Sequence, residues 1–314
     1  MKAFVFPGQG SQAVGMGKDL AENFAPARAV FEEVDAALNQ KLSTLMFEGP
    51  EAELTLTANA QPALMAVSLA VTRVLEAEAG LDLARDAAYV AGHSLGEYSA
   101  LAAAGSLSIA EAARLLRRRG QAMQEAVPVG KGAMAALIGI DDNRAKAIAA
   151  EAQADVQCVC AVANDNGGGQ VVISGAKPAI ERAIEIAKAN GIRRAVPLPV
   201  SAPFHCVLMQ PAAEAMAAAL SEVEIKRPQV PVVANVLAAP IEDPQEIRTR
   251  LIEQVTGTVR WRESILFMAA RGVSLFVELG SGKVLSGLLR RIVESGTGIS
   301  VGTAAEVEAY RALG

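Results

Sequence analysis

The chain has 314 residues, of which 52% are hydrophobic and 20% are charged, a composition typical of globular proteins and not of disordered or fibrous ones. Its 29 basic and 34 acidic residues give a net charge of −5, so the chain as a whole does not attract nucleic acid or an anionic membrane. The longest apolar stretch, residues 63–71, is too short to span a bilayer. The three cysteines make neither a disulfide framework nor a four-ligand zinc site, so we expect a reducing, cytoplasmic location and no bound metal.

Short apolar runs alternate with helical patterns along the chain. The first run, residues 3–6, predicts a buried strand that ends at a glycine-rich loop starting at Pro7. Helical patterns follow at residues 26–38 and 61–79. Strand-like runs at residues 230–236, 274–279 and 299–301 then alternate with helical patterns at residues 261–270 and 284–292. Continuous apolar strands separated by helices predict an α/β fold with a mostly parallel sheet, covered by helices on both faces.

The pattern changes between Pro128 and Pro199. This segment reads as strand 133–140, helix 141–152, strand 156–163, strand 170–174, helix 178–190 and strand 194–200. That order, βαββαβ, is typical of a ferredoxin-like unit. We therefore predict a large domain formed by residues 1–127 and 200–314, with residues 128–199 inserted in it as a ferredoxin-like subdomain.

A Gly-x-Ser-x-Gly motif is centred on Ser94, between the apolar residues 87–91 and an alanine-rich run at residues 98–104. This order of strand, sharp turn and helix predicts a nucleophile elbow. Such a turn exposes the Ser94 hydroxyl, and the N–H of the next residue, Leu95, can bind a developing oxyanion. The alternative is a glycine-rich loop in which the serine only caps a helix.

A nucleophilic serine needs a general base, and the chain contains only two histidines. His93 precedes Ser94, and consecutive residues leaving a strand point in opposite directions, so His93 cannot easily take the proton of that serine. His205 lies in a proline-bounded loop, residues 199–206, just after the last predicted strand of the insertion. We therefore predict His205 as the base, although the sequence does not identify an Asp or Glu that would orient it.

One arginine lies on the apolar side of a predicted helix. Ser108 and Glu111 form a capping box that starts this helix, which runs to about residue 126. Its inward row, spaced three and four residues apart, consists of Ile109, Ala112, Leu116, Arg119 and Met123. A buried guanidinium at Arg119 requires an anionic partner. That partner is either an internal Asp or Glu, or the carboxylate of a substrate such as a dicarboxylic thioester, bound bidentately beside Ser94.

Two other functions fit parts of the same sequence. The pair Ser94 and His205 would also serve an esterase or thioesterase, which differs only in using water as the acceptor. Residues 8–13 match G-x-G-x-x-A after a strand, a pattern typical of a non-catalytic dinucleotide-binding module. That pattern also needs an acidic residue at the end of the next strand, and residues 27–38 read as a helix instead.

The order and spacing of the motifs resemble the malonyl-CoA:acyl carrier protein transacylase family over essentially the whole chain. The motifs are Phe6-Pro-Gly-Gln-Gly-Ser-Gln12, Gly92-His-Ser-Leu-Gly-Glu97, Arg119-Gly120 with Met123-Gln124, Asn164-x-Asn166 before Gly169-Gln-Val-Val, the loop from Pro199 to Cys206, and Glu278-x-Gly280-x-Gly-Lys283. The resemblance implies an α/β-hydrolase-like core with a ferredoxin-like insertion. It further implies that Ser94 is malonylated, that His205 is the base and that Arg119 holds the malonyl carboxylate.

The resemblance also implies supporting roles. Gln9 matches the glutamine whose backbone N–H completes an oxyanion hole with that of Leu95. Gln254 matches the position whose backbone carbonyl, in place of an aspartate, orients the histidine. The residues that match the lining of the substrate cleft are Met123, Asn164 and Asn166. Phe204 directly precedes the predicted base. It matches a phenylalanine that, in related acyltransferase domains, goes with a preference for malonyl over methylmalonyl groups.

The reaction implied by the resemblance is ping-pong. Malonyl-CoA acylates Ser94, CoA leaves, and the phosphopantetheine thiol of acyl carrier protein takes the malonyl group for fatty acid biosynthesis. The residues do not separate this pathway from polyketide synthesis or malonate decarboxylation. No tightly bound cofactor is implied, since the CoA thioester is itself the substrate, and we expect a monomer. Because carrier proteins are acidic, we expect a basic docking patch near the mouth of the cleft, with Arg193 and Arg194 as candidates.

Overall fold

The computed structural model describes residues 1–200 and 202–313. Ser201, in the loop that carries the predicted base, and Gly314, the last residue of the predicted large domain, lie outside the described residues. The strands are β1 (Lys2–Phe6), β2 (Tyr89–Gly92), β3 (Gly132–Ile138), β4 (Cys160–Gly167), β5 (Gln170–Ala176), β6 (Arg194–Pro197), β7 (Val232–Ala234), β8 (Ala239–Ile241), β9 (Leu275–Leu279) and β10 (Thr297–Val301). The helices are α1 (Lys18–Asn23), α2 (Ala25–Leu38), α3 (Leu42–Glu48), α4 (Glu51–Leu54), α5 (Thr57–Ala79), α6 (Leu83–Asp86), α7 (Gly96–Ala103), α8 (Ile109–Glu125), α9 (Asp142–Val156), α10 (Lys177–Ala189), α11 (Gln210–Ser221), α12 (Pro244–Thr256), α13 (Trp261–Ala270), α14 (Val284–Leu289) and α15 (Ala304–Arg311), with a short 3-10 helix at Val207–Met209.

Six strands form one sheet in the order β10-β9-β1-β2-β7-β8. Every neighbouring pair in it is parallel except β7 and β8. Phe4 and Phe6 of β1 pack into the core formed with α2, α5, α7 and α8. Ala3 and Val5, which point to the opposite face, pack against α13 and α14. The predicted mostly parallel sheet with helices on both faces is confirmed.

Helix α5 has 23 residues and passes through this core, with most of its side chains buried all round. A helix that is apolar on every side is typical of the interior of a large domain. Within the two described ranges, no helix combines the length and the apolarity needed to cross a lipid bilayer.

Strands β3 to β6 form a second sheet, in which all neighbours are antiparallel and the order is β4-β5-β3-β6. With α9 and α10 packed on one face, this is the ferredoxin-like βαββαβ arrangement that the sequence predicts. Ala135 and Leu137 of β3 face those helices. Met134 and Ala136 belong to the core of the large sheet, so the small sheet is buried on both faces. The exact boundaries of the inserted subdomain remain a prediction.

Strand β4 also connects the second sheet to the segment that follows α12. Asn164 forms a parallel bridge with Val259, and the N–H of Asp165 donates to the carbonyl of Val259 at 3.0 Å. The N–H of Val259 donates in turn to the carbonyl of Ala163 at 2.9 Å. The edge of the small sheet is therefore continued by backbone hydrogen bonds into the large domain.

Several strands differ in extent from their prediction: β3 and β6 end at Ile138 and Pro197, before the predicted ends at residues 140 and 200, and two other strands differ more. Residues 156–163 predict a strand, but α9 continues to Val156 and β4 starts only at Cys160. Gln157 ends the helix in the left-handed conformation, with a φ of 53°. Residues 230–236 predict one strand, whereas the structure has β7 and a second strand, β8, that turns back antiparallel at the edge of the sheet. For both segments the prediction of a strand is right and its boundaries are wrong, because tertiary packing sets where an element ends.

Candidate active site

Ser94 lies at a sharp turn between β2 and α7. Its φ is +53°, a left-handed conformation that few non-glycine residues adopt. A Cβ atom on Gly92 would lie 1.8 Å from the carbonyl oxygen of Gly96, and one on Gly96 would lie 2.3 Å from that of Phe6. Only glycine therefore fits on either side of this turn, and the structure has the strand, turn and helix of a nucleophile elbow.

His205 lies against Ser94. The Oγ of Ser94 is 2.7 Å from Nε2 of His205. Nδ1 of the same ring is 2.9 Å from the carbonyl oxygen of Gln254 and 3.1 Å from that of Gly257. Because carbonyl oxygens only accept hydrogen bonds, Nδ1 carries the proton, and Nε2 keeps the lone pair that accepts the Ser94 hydroxyl. The arrangement is a serine–histidine pair in which backbone carbonyls replace the carboxylate of a triad.

The surroundings keep the imidazole of His205 neutral. Burial, together with the positive charge of Arg119, lowers the pKa of His205 to about 3, although its backbone hydrogen bonds oppose the shift. A neutral imidazole with a free Nε2 is the form that acts as a general base. Burial also lowers the pKa of the other histidine, His93, whose Nε2 donates to Oδ1 of Asn166 at 2.8 Å.

The guanidinium of Arg119 points at the same hydroxyl and is only 1% exposed. Its Nη2 donates to Ser94 Oγ at 3.2 Å and to Oε1 of Gln254 at 2.8 Å, and its Nη1 donates to Oε1 of Gln61 at 2.8 Å. These partners are neutral, and across residues 1–200 and 202–313 no carboxylate forms an ion pair with this arginine. The sequence leaves two partners open for Arg119, an internal Asp or Glu and a substrate carboxylate. The first alternative is therefore wrong, and the positive charge remains available to a ligand.

A buried carboxyl group, that of Glu97, lies behind the elbow. Its Oε2 accepts hydrogen bonds from Nε2 of Gln254 at 2.8 Å and from the N–H of Asn235 at 3.1 Å. Burial raises the pKa of Glu97 to about 7, although these hydrogen bonds and the charge of Arg119 oppose the increase. The carboxamide of Gln254 thus lies between Glu97 and Arg119 and bonds to both.

These groups open into one cleft with a volume of about 480 Å³. The predicted site residues in its lining are Gln9, Ser94, Leu95, Arg119, Met123, Asn164 and His205. Two predicted site residues are not in the lining. Asn166 contacts His93, and Gln254 holds Arg119 and His205 from behind.

The loop after β1 packs directly on the elbow. A Cβ atom on Gly8 would lie 2.7 Å from the carbonyl oxygen of His93, and the side chain of Gln9 is held by a 3.2 Å hydrogen bond from Nε2 to Oγ1 of Thr57. Within the described part of the chain, the N–H groups of Gln9 and Leu95 donate no backbone hydrogen bond. Two such free donors beside a nucleophile are what an oxyanion hole requires.

Sequence reasoning misses three polar residues of the site, Gln61, Glu97 and Asn235. All three are at most 1% exposed. Gln61 lies in the apolar first turns of α5, and a polar side chain at an apolar helix position is a signal that could have identified it. Glu97 is visible in the elbow motif, but its partners come from distant segments and leave no local pattern.

A larger groove of about 730 Å³ follows the edge strand β10, between α14 and α15. It contains none of the predicted site residues, so we assign the chemistry to the smaller cleft. Among the residues that the structure describes, no three His, Cys, Asp or Glu side chains are grouped to hold a metal ion.

The two arginines predicted to dock an acidic partner are exposed on the small sheet. Arg194 starts β6 and Arg193 precedes it. The cleft is bordered by residues 198–200, beyond the other end of that strand. The arginines and the cleft lining therefore lie at opposite ends of this short strand, and a docking role for Arg193 and Arg194 stays a prediction.

Known proteins resemble this chain over nearly its full length. The acyl transferase domain family matches residues 3–314. A malonyl CoA-acyl carrier protein transacylase of Bacillus subtilis is 49% identical over 290 residues, which cover 92% of this chain and 90% of the relative. The crystal structure of an acyl-carrier-protein-S-malonyltransferase from Bartonella henselae has a TM-score of 0.96 at 57% identity, and covers 99% of this chain and 98% of its own. A malonyl-transacylase in complex with its type II PKS acyl-carrier protein has a TM-score of 0.95 at 42% identity, covering 100% of this chain and 99% of its own.

Chains that are this similar from one end to the other share a fold and a family, and the resemblance noted in the sequence is thereby confirmed. The chain belongs to the acyl transferase family, within the group of malonyl CoA-acyl carrier protein transacylases.

Proposed function

We propose that the protein transfers the malonyl group of malonyl-CoA to the phosphopantetheine thiol of acyl carrier protein, through a malonyl ester of Ser94, in fatty acid biosynthesis. One observation supports this most directly. The hydroxyl of Ser94 contacts both Nε2 of His205, at 2.7 Å, and Nη2 of Arg119, at 3.2 Å. A nucleophile between a base and an unpaired cation is suited to an acyl group that carries its own carboxylate.

In the first half-reaction, Nε2 of His205 removes the proton of Ser94 as the serine oxygen attacks the thioester carbonyl. The N–H groups of Gln9 and Leu95 stabilise the oxyanion of the tetrahedral intermediate. The intermediate collapses with loss of the CoA sulfur, which takes the proton from the imidazolium. The products are the malonyl ester of Ser94 and free CoA.

In the second half-reaction the same groups act on the carrier protein. The phosphopantetheine thiol gives its proton to His205, and its sulfur attacks the ester carbonyl of malonyl-Ser94. Collapse of the second intermediate returns the proton to Ser94 and leaves malonyl-carrier protein. CoA leaves before the carrier protein reacts with the acyl-enzyme, so the kinetics are ping-pong.

Arg119 selects the acyl group. The carboxylate of a malonyl group is separated from the reacting carbonyl by one methylene, so a cation beside the nucleophile can bind it while the carbonyl is attacked. The charge of Arg119 contributes to the low pKa of His205. A bound carboxylate neutralises that charge, and the pKa of His205 then rises, which makes the imidazole a stronger base when the correct substrate is present.

Met123 and Asn164 line the acyl-binding part of the cleft, and Asn166 supports it through His93. Gln254 orients His205 through its backbone carbonyl. The CoA thioester is a substrate, and the mechanism uses no resident cofactor or metal. The three cysteines are free thiols, which fits the cytoplasmic location that we propose.

The two competing functions are less well supported. A thioesterase would use the same Ser94 and His205 with water as the acceptor, and Arg119 favours an acidic acyl group without deciding between water and a thiol. For dinucleotide binding, the loop after β1 would have to lead into a helix and then a strand. Here the loop leads to the six-residue helix α1 and then to α2.

Intact-mass spectrometry after mixing the protein with malonyl-CoA tests the proposal. We expect one malonyl adduct on the wild-type chain and none on Ser94→Ala, and we expect the adduct to disappear when carrier protein with its phosphopantetheine arm is added. Steady hydrolysis of malonyl-CoA without the carrier would instead identify a thioesterase. No adduct on the folded wild-type chain would refute the acyl-enzyme mechanism.

A further inference from the structure

The strand pairing that supports the elbow stops just before the nucleophile. β2 and β7 pair in parallel, with Val90 opposite Val232 and Ala91 opposite Val233. Two residues further along, this register brings His93 opposite Asn235. In a continuing parallel ladder, the backbone of Asn235 would donate its N–H to the carbonyl of Gly92 and accept the N–H of Ser94 through its carbonyl.

The side chain of Asn235 makes these two bonds in place of its backbone. Nδ2 of Asn235 donates to the carbonyl oxygen of Gly92 at 2.7 Å, and the N–H of Ser94 donates to Oδ1 at 2.8 Å. A carboxamide has the same donor and acceptor as a peptide group, so it can extend a ladder where the strand itself cannot follow. Asn235 therefore holds the backbone on both sides of His93.

The backbone of Asn235 is fixed as well. Its N–H donates to Oε2 of Glu97 at 3.1 Å, and its carbonyl accepts the N–H of Arg260 at 3.0 Å. The same Glu97 oxygen accepts from Nε2 of Gln254, which also donates to the carbonyl of Ser94 at 2.9 Å. Every polar group of Asn235 is thus occupied, and the residue is 1% exposed.

Such a support is needed because the turn is strained. Ser94 has a φ of +53°, which a residue with a side chain retains only where its surroundings hold it. If the peptide groups around Ser94 relaxed, both Oγ and the N–H of Leu95 would move relative to His205. The loss would then appear in the chemical step, since Asn235 is not in the lining of the cleft and does not contact the substrate.

We propose that Asn235 is a positioning residue for the nucleophile, whose carboxamide holds the elbow backbone so that Ser94 Oγ stays in line with His205. The proposal rests on the proposed function only in the choice of malonyl-CoA as one of two probes. The second probe, a fluorophosphonate, modifies an activated serine whatever the natural acyl group is.

The test compares Asn235→Asp and Asn235→Ala with the wild type. The aspartate is isosteric and still accepts from the N–H of Ser94, but it places an oxygen against the carbonyl of Gly92. The alanine removes both bonds. We expect the single-turnover rate of Ser94 malonylation and the rate of fluorophosphonate labelling to fall together by about 100-fold, the size expected for a displacement of about 1 Å. We expect KM for malonyl-CoA to change less than about 3-fold, because the binding groups remain in place.

The control is Ser106→Ala, which removes another buried side-chain hydrogen bond to a backbone carbonyl, that of Lys226 at 2.5 Å, away from the cleft. It should lower the melting temperature without slowing either reaction. Wild-type labelling rates in folded Asn235→Asp or Asn235→Ala would overturn the proposal. Failure of both variants to fold would also overturn it, because Asn235 would then serve folding and not positioning. If the wild type is labelled by the fluorophosphonate but forms no malonyl adduct, the proposed function fails and the labelling rates still decide the role of Asn235.

Discussion

Arg119 and Gln254 share a hydrogen bond of 2.8 Å, from Nη2 of the arginine to Oε1 of the glutamine. The backbone carbonyl of the same glutamine accepts the Nδ1 proton of His205 at 2.9 Å. One residue thus orients the cation through its side chain and the base through its main chain. A substitution at this position changes the first contact and keeps the second.

We expect Gln254→Ala to lower kcat/KM for malonyl-CoA by at least about 10-fold, because the variant loses the hydrogen bond to the charged Arg119 together with those to Glu97 and to the carbonyl of Ser94. The effect on acetyl-CoA, which has no carboxylate to orient, should be smaller. The matched control is Gln245→Ala, at an exposed position of the same helix, α12, which should leave both substrates unaffected. Equal losses for malonyl-CoA and acetyl-CoA would show that the side chain does not act through Arg119.

Arg119→Ala should separate acidic from neutral substrates more strongly. The guanidinium hydrogen-bonds only to neutral groups, so its removal breaks no salt bridge. We expect kcat/KM for malonyl-CoA to fall by about 10- to 150-fold, while acetyl-CoA is affected little or reacts faster. Steady-state kinetics with both thioesters measures this ratio. The neighbouring Arg118→Ala, on the exposed side of α8, is the control and should resemble the wild type. An unchanged preference for malonyl-CoA in Arg119→Ala would remove this residue from the acyl site.

The two histidines should differ in their effect on the chemical step. His205→Ala removes the only imidazole that contacts Ser94 in the described structure, and we expect the acylation rate to fall by about 10²- to 10⁴-fold. His93→Gln removes a ring that binds Asn166 and should cost less. Stopped-flow measurement of CoA release separates acylation from the later transfer. If His93→Gln were the slower variant, the assignment of the base would have to be reversed.

Acid should destabilise the fold through the buried base. The pKa of His205 is lowered from 6.5 in an exposed histidine to about 3 by burial and by the charge of Arg119. Between these values the unfolded chain binds a proton that the folded chain does not, so the stability present above pH 6.5 is lost as the pH falls toward 3. His205→Gln lacks this titration. Its free energy of unfolding should therefore fall less steeply with decreasing pH than that of the wild type, by at most about 1.4 kcal/mol per pH unit. Urea unfolding of both proteins at several pH values measures the difference, and parallel curves would contradict the buried neutral state.

Reversing the charges of Arg193 and Arg194 to glutamate tests the docking patch. We expect KM for the carrier protein to rise several-fold, since an acidic partner is repelled, while self-malonylation from malonyl-CoA is unchanged. The control reverses Arg28 and Arg73, which are exposed on α2 and α5. A rise in KM for both malonyl-CoA and the carrier would point to damage of the cleft instead of docking.

The three side chains that meet at the elbow, Ser94, His205 and Arg119, could be located from the sequence, two of them by local patterns. Ser94 has glycines at fixed spacing, and Arg119 falls on the apolar row of a helix that begins with a capping box, which the structure retains. His205 followed by elimination, because the chain has only two histidines. Local patterns of this kind survive folding because they reflect backbone sterics and helix periodicity.

The parts that could not be predicted are contacts between distant segments. Asn235 follows a three-residue strand, and nothing near it in sequence shows that its carboxamide will reach the elbow 141 residues earlier. The side-chain role of Gln254 is hidden for the same reason, since Glu97 and Arg119 lie on two other helices. The late start of β4 could not be predicted for the same reason, because its register is set by contacts with the partner strand β5 and with Val259.

The backbone bridge between β4 and Val259 limits which acceptor thiols can enter the cleft. Asn164 lines the cleft, and the segment with Val259 follows the helix whose Gln254 carbonyl binds His205, so main-chain bonds fix this wall of the cleft relative to the imidazole. We therefore expect the protein to select acceptor thiols by their width. A thiol on a thin, flexible prosthetic arm can reach the ester, whereas a thiol on a bulky or rigid group cannot enter the cleft.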